Sequence, residues 1–238
     1  LLLVHILPVL CTNLLVAQLL DRGPALGVAR VSLTTGDVTL QRSNSGDSIT
    51  ATTYMPLVEG DLLTTGLASR AEIQLDYSNL LRLNEHSQVR IASLDVRSFL
   101  LQVEHGIVTY NELRGGDATV DIETPLVTVR NEKNGRIRIE IVDFDEVIID
   151  LQKGQATVVS PVGKETLKKD HQLIVRRSNQ DIKLQVVKAK PNDDWDYWNI
   201  QRDQQLKESK AYRYVSRSIN GVEDLDGYGR WVQIPNQG

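Results

Sequence analysis

The sequence predicts an all-β protein, an antiparallel sandwich or a short solenoid-like stack of hairpins, with a C-terminal helix and an aromatic tail. Three features predict it. Apolar and polar residues alternate in short runs through most of the chain, the period of a half-buried strand. Clusters of Gly, Asn, Asp and Pro punctuate those runs at short intervals. No helical stretch lies between successive strands to carry the crossover of a doubly wound parallel sheet.

The chain opens on LLLVHILPVLCTNLLVAQLL, almost continuously apolar, before Asp21-Arg22-Gly23-Pro24. Residues 1–17 read as an export signal, with Pro8 and Asn13 interrupting the apolar region and Val16-Ala17 at the cleavage point. The competing reading is a retained anchor, since about eighteen apolar residues span a bilayer, and membrane contact is expected only in that case. Cys11 is the single cysteine, so a processed chain forms no disulfide.

From Val28 to Val187 the strand signal is continuous. Val28 to Leu33 and Val38 to Gln41 flank Thr34-Thr35-Gly36-Asp37 as a hairpin, and the polar stretch Gln41 to Thr53 reads as a surface loop. Ala71, Ile73 and Leu75 alternate with Glu72 and Gln74, Leu81 and Leu83 bracket Arg82, and Val89 and Ile91 bracket Arg90. One face is thus apolar and the other wet, with turns at 76–79 and 84–87. Further runs lie on either side of His105-Gly106, and Asn111 to Asp117 is a longer polar break. Pro125 ends a strand because it lacks a ladder donor. Asn134-Gly135 predicts a type I′ hairpin before Ile137, Ile139 and Ile141, and Lys153-Gly154-Gln155 a further turn after Ile149 and Leu151. The expected core is Ile73, Leu75, Leu81, Leu83, Ile137, Ile139 and Ile149. No strict internal repeat is present.

Gly60-Asp61, Leu63 and Thr65-Gly66 match the "G-D-x-[IL]-x-T-G" signature of the FecR domain. Ala71, Ile73, Leu75, Ser78, Leu81 and Leu83 fit the strand pair that follows it in that family. Ile122 to Val129, Val147 to Val159 and Leu167 to Val175 fit its later segments, so the resemblance covers roughly Val28 to Val187. Two positions depart from it. Tyr77 stands where the family usually has Gly, which implies a different turn. Arg136 stands where Thr is usual and reads as an outward position of little consequence. The resemblance implies a β-domain of the bacterial envelope, in a family associated with transmembrane control of an iron-uptake sigma factor.

Composition changes at Pro191. Asn192 or Asp193 caps a helix in which Trp195, Trp198, Arg202 and Leu206 recur at helical spacing, with acids at its start and Lys207 and Lys210 at its end. Residues 193–238 hold all three Trp and four of the seven Tyr. With "W-x-x-x-R-D", "Y-V-S" and "D-L-D-x-Y-G-x-W", this segment resembles the start of a Trp/Tyr-rich domain of unknown function that often follows FecR domains. Trp195, Tyr197, Trp198, Tyr212, Tyr214, Tyr228 and Trp231 are the candidate interaction surface, either as a staple onto the β-domain or as a recognition surface for glycan, peptide or a further domain.

A net charge of −4 gives no footprint for nucleic acid. The chain shows no nucleophile elbow, phosphate loop or metal-spaced histidines. His86, His105 and His171 read as turn residues. Asp143, Asp145 and Glu146 share one turn, which suits solvation rather than a glycosidase pair, and Asp224-Leu225-Asp226-Gly227 lacks the ligands of a calcium loop. No catalytic residue, metal or cofactor is expected. The expected function is a non-enzymatic, periplasmic or otherwise exported module that binds an envelope protein or glycan in a regulatory or scaffold role. The alternative is a glycan-binding or glycan-hydrolysing envelope protein.

Overall fold

The computed structural model describes residues 29–179, 181–216 and 219–232; the expected export signal and the chain's last residues lie outside them. The strands in chain order are β1 (Ala29–Thr35), β2 (Val38–Gln41), β3 (Ser48–Thr50), β4 (Pro56–Leu57), β5 (Leu62–Thr65), β6 (Arg70–Gln74), β7 (Asn79–Leu83) and β8 (Gln88–Asp95). They continue as β9 (Ser98–Glu112), β10 (Thr119–Glu123), β11 (Thr128–Asp143), β12 (Glu146–Ser160), β13 (Gly163–Leu167), β14 (His171–Ser178) and β15 (Asp181–Lys188). Helix α1 (Asp194–Lys207) follows, then two short 3-10 turns and α2 (Leu225–Tyr228).

Hydrogen bonding links the strands into one open sheet, but β9, β11 and β12 are each long enough to serve two layers. Their halves at 106–112, 136–143 and 146–151 join β4, β1, β6, β7, β14 and β15 in one layer, in the order β4-β1-β6-β7-β9-β11-β12-β14-β15. Their other halves join β3, β2, β5, β8, β10 and β13 in the second. The two inner faces share one buried apolar cluster, which holds Ile73, Leu75, Leu81, Leu83, Ile137, Ile139 and Ile149 as expected, together with Leu40, Leu63, Ile91, Leu101 and Val158 of the second layer. Burying each of these side chains stabilises the fold by about 1.5–3 kcal/mol before entropy is counted.

The bends that fold the sheet correct two expected turns. Asn134-Gly135 and Lys153-Gly154-Gln155 do not end strands; they lie inside β11 and β12, nested against each other where the register skips between Lys133–Gln155 and Arg136–Lys153. Gly154 has φ +82, and a Cβ there would lie 2.3 Å from the Lys133 carbonyl oxygen. Gly106 bends β9 with φ +87, and a Cβ there would meet Ser87 Oγ at 2.4 Å. Only glycine tolerates both demands. The local signals were those of turns, and continuous pairing on both flanks made them bends instead.

The sheet is also not wholly antiparallel, because β10 pairs in parallel with the first half of β9. The second half of β9 and the link 113–118 form the crossover, and the Thr119 N–H donates to the Arg97 carbonyl at 2.9 Å to start the pairing. Within the expected loop 41–53, residues 48–50 add β3 to the edge of β2.

Candidate functional site

The outer face of the nine-stranded layer carries the residues that alternation assigned to water. Glu72, Arg82, Thr109 and Asn111 are nevertheless buried, because α1 lies across them, and Gln74 is buried against the segment that follows the helix. The helix begins as the sequence predicts: Asp193 accepts from the Asp196 N–H at 3.0 Å, and Asp196 accepts from the Asp193 N–H, a capping box. Its buried stripe is Trp195, Asn199, Asp203 and Leu206, three or four residues apart, and only its two ends are apolar.

At the centre Arg82 joins sheet to helix. Its Nε donates to Glu72 Oε2 at 2.7 Å and its Nη1 reaches Asp203 Oδ1 at 2.7 Å and the Asn199 carbonyl at 3.1 Å. Among the described residues the Nη2 side of the guanidinium finds no hydrogen-bond acceptor, and the group sits over the Trp198 ring at 5.9 Å. Glu72 also accepts from Arg202 Nη2 at 2.8 Å and from Ser32 Oγ at 2.8 Å. Burial alone pushes the Glu72 carboxyl up, but Arg82 and Arg202 outweigh it and hold the group at about 2. Asp203 takes a second guanidinium from Arg136 and the Asn111 amide at 2.9 Å. Arg136, expected to matter little, is therefore a ligand of the helix.

Toward the helix N-terminus Trp195 Nε1 donates to Thr109 Oγ1 at 2.9 Å, and Arg138 reaches Asp193 at 2.6 Å and Asp196 at 3.2 Å. Beside them lies a cleft of about 510 Å3 lined by Arg138, Glu140, Asp150, Lys169, Lys190 and Asp196, among others. Burial, with Asp196 and Glu140, pushes the Asp150 carboxyl up to about 6 despite Arg138 and Lys190. At the C-terminus Arg114 donates to the Leu206 carbonyl at 3.0 Å and stacks on Tyr212 at 4.2 Å. The chain then returns to the sheet edge, where Arg30 pairs with Asp224 at 2.6 Å and Gln74 donates to Glu223 at 3.0 Å.

The seven candidate aromatics therefore divide. Trp195, only 4% exposed, is removed from any surface, and Trp198 stacks on it at 5.0 Å beneath Arg70. Tyr212 is half-buried, its hydroxyl donating to Glu223 at 2.6 Å. Tyr197, Tyr214 and Tyr228 are 56%, 65% and 78% exposed. Tyr214 stacks with Trp231 at 4.5 Å, the indole donating to Asp226 at 2.7 Å, and Tyr228 meets Tyr54 edge-on at 5.9 Å. Tyr54 was not singled out in the sequence, and no local pattern marks it.

The FecR-like signature residues have structural work. Asp61, fully buried, accepts from the Val58 and Ser43 N–H groups at 3.1 Å each and from Arg42 at 2.7 Å, tying two loops together. Thr65 donates to the Asn84 carbonyl and accepts from the Ser87 N–H. At Tyr77 the turn is closed by Asp76, which accepts from the Ser78 and Asn79 N–H groups at 2.7 Å each.

Among the described residues no group of three or more His, Cys, Asp or Glu could hold a metal ion, and no helix is long and apolar enough to cross a membrane. Asp145 and Glu146 pair with Arg177 and Arg176 on the surface.

No family model matches the chain, and no curated protein matches it. Two crystal structures of a protein described as a "putative anti-sigma factor" from Parabacteroides distasonis, at 2.50 and 1.65 Å resolution, overlap with 52% of this chain at 16% identity and a TM-score of 0.45. The overlap spans 58% of that protein's chain. The chain is similar to part of that protein.

Proposed function

We propose that this chain is a non-enzymatic, exported envelope module of the FecR type that binds an envelope protein or ligand through its C-terminal aromatic segment. The observation that carries this reading is the exposed Tyr214–Trp231 stack, fixed by the Asp226 hydrogen bond in a segment clamped to the sandwich. Aromatic side chains held in place before binding lose little entropy on contact and bring large area, the properties of interface anchors. The buried carboxylates Glu72, Asp61 and Asp203 are each matched to an arginine. That arrangement ties separate elements of the fold together. The matches to the FecR pattern support a regulatory or scaffold role.

The test is a photo-reactive phenylalanine analogue placed at Tyr214 in full-length protein expressed in a Gram-negative host, with Phe144, exposed on the β11–β12 hairpin, as control position. The expected result is a periplasmic chain shortened near Ala17 and a cross-linked adduct at Tyr214, absent from the control and lost with Trp231→Ser. A chain recovered at full mass from cytosol would sink the export reading. Equal labelling at both positions, or none at Tyr214, would sink the binding surface.

A further inference from the structure

The two ends of the nine-stranded layer are unlike. At one end β4 has two residues, one of them Pro56; at the other β15 runs for eight residues without proline. Sheets commonly blunt an open edge with proline, brevity or an inward-pointing charge. The inward side of β15 is apolar over its centre. Ile182 and Leu184 pack half-buried against the core, and Val186 beside them is 45% exposed.

Among the described residues β15 pairs only with β14, and backbone parity shows which groups face its open side. The Arg177 N–H donates away from β15, to the Asp145 carbonyl at 2.8 Å, so the alternate residues Arg176, Ile174 and Gln172 are the ones that bond β15. Their partners are Lys183, Gln185 and Val187. Ile182, Leu184 and Val186 therefore turn their N–H and C=O groups outward.

We infer that β15 is a homodimerisation edge, to which a second copy of this chain adds its own β15 antiparallel about a two-fold axis through Leu184. Such an axis keeps the inward faces on one side, so it must pair residues of equal parity. Centred on Leu184, it sets Leu184 against itself and Ile182 against Val186, joining the two half-covered strips into one apolar strip. On the other side it sets Lys183 opposite Gln185, so no like charges stand directly opposed. Pairing Leu184 with Val186 instead sets Ile182 against Lys188. The strand is thus complementary to itself in one register, which is what a two-fold interface requires.

Sedimentation of the full chain tests this. The wild type is expected to show a concentration-dependent monomer–dimer equilibrium. Val186→Pro is expected to abolish it with unchanged circular dichroism, because the missing N–H faced the open edge and not β14. In a Cys11→Ser background, Leu184→Cys is expected to form an intermolecular disulfide under mild oxidation. Facing residues of a hydrogen-bonded antiparallel pair lie about 5.5 Å apart between Cα atoms, within disulfide reach. Gln185→Cys is expected to stay reduced, and this pair of variants decides the matter if Val186→Pro misfolds. A chain that is monomeric up to about millimolar concentration, a dimer that survives Val186→Pro in a folded chain, or equal cross-linking at both cysteine positions would each overturn the inference. So would a monomer that takes up a foreign extended segment at this edge.

Discussion

The two faces of the nine-stranded layer are both covered at its centre and are built from opposite materials. The inner face is Ile, Leu and Val packed against the second layer; the outer face is Glu72, Arg82, Asn111 and Arg136 packed against Asn199, Arg202 and Asp203 of α1. Apolar contact is non-directional and roughly proportional to area, so the inner face tolerates many sequences. A buried ion network returns its desolvation cost only when every group finds its partner in the right place. It therefore holds the helix in one register, at the expense of sensitivity to the loss of any member.

The sharpest way to break this comparison is Arg82→Ala, which leaves Glu72 and Asp203 short of a shared cation in a dry interface. It should cost about 3–5 kcal/mol in urea titration. Arg82→Lys should recover little, since one ammonium cannot repeat the fork. A cost under about 1 kcal/mol would show that α1 is held by something else. On the inner face, Ile139→Ala should cost about 2–5 kcal/mol by leaving a cavity, and the tryptophan emission should stay unchanged until global unfolding. An early red shift in that variant would mean that the two faces are not independent.

Acid titration sharpens the contrast further, because two outer-face carboxyls are displaced in opposite directions. Glu72, held at about 2 against an ordinary 4.5, contributes stability that is full above pH 4.5 and is lost as pH falls toward 2. Asp150, pushed up to about 6 from 3.8, works the other way: its ionisation penalises the folded state above pH 6, and the penalty fades as pH falls to 3.8. The melting temperature should thus rise from pH 7 toward 5 and fall in stronger acid. Asp150→Asn should raise the melting temperature at pH 7 and flatten the upper limb; an unchanged limb would remove Asp150 as its source.

Smaller effects grade the rest. Trp195→Phe removes the hydrogen bond to Thr109 and should cost about 0.5–1.5 kcal/mol, with the helix retained by circular dichroism. Arg130→Ala breaks an exposed pair with Asp121 and should cost less than about 1 kcal/mol, a control for what an ion pair is worth in water.

Much of the inner face was legible. Alternation at Ala71, Ile73 and Leu75 and at Ile137, Ile139 and Ile141 identifies one side of each strand, and a two-residue period needs no knowledge of neighbours. The outer face was misread for the same reason. Glu72, Arg82 and Arg136 have the composition of a solvated surface, and nothing beside them in sequence says that a helix whose partners lie 67 to 130 residues further along the chain covers it. The aromatic segment was legible as a cluster but not as two populations, because burial of Trp195 and exposure of Tyr214 are set by what each meets.

By itself the sequence determined the strand-rich class, the core side of the strands whose apolar residues alternate, a helix capped at Asn192 or Asp193 and the concentration of aromatics at the end, since all of these are fixed by periods and caps spanning a few residues. The tertiary structure alone decided that Gly106, Gly135 and Gly154 bend strands that continue through them, that β10 runs parallel to β9, and that the polar face is an interior. Those outcomes depend on which segments meet across long separations, where pairing and charge matching between distant residues outweigh the local signals of turn and surface.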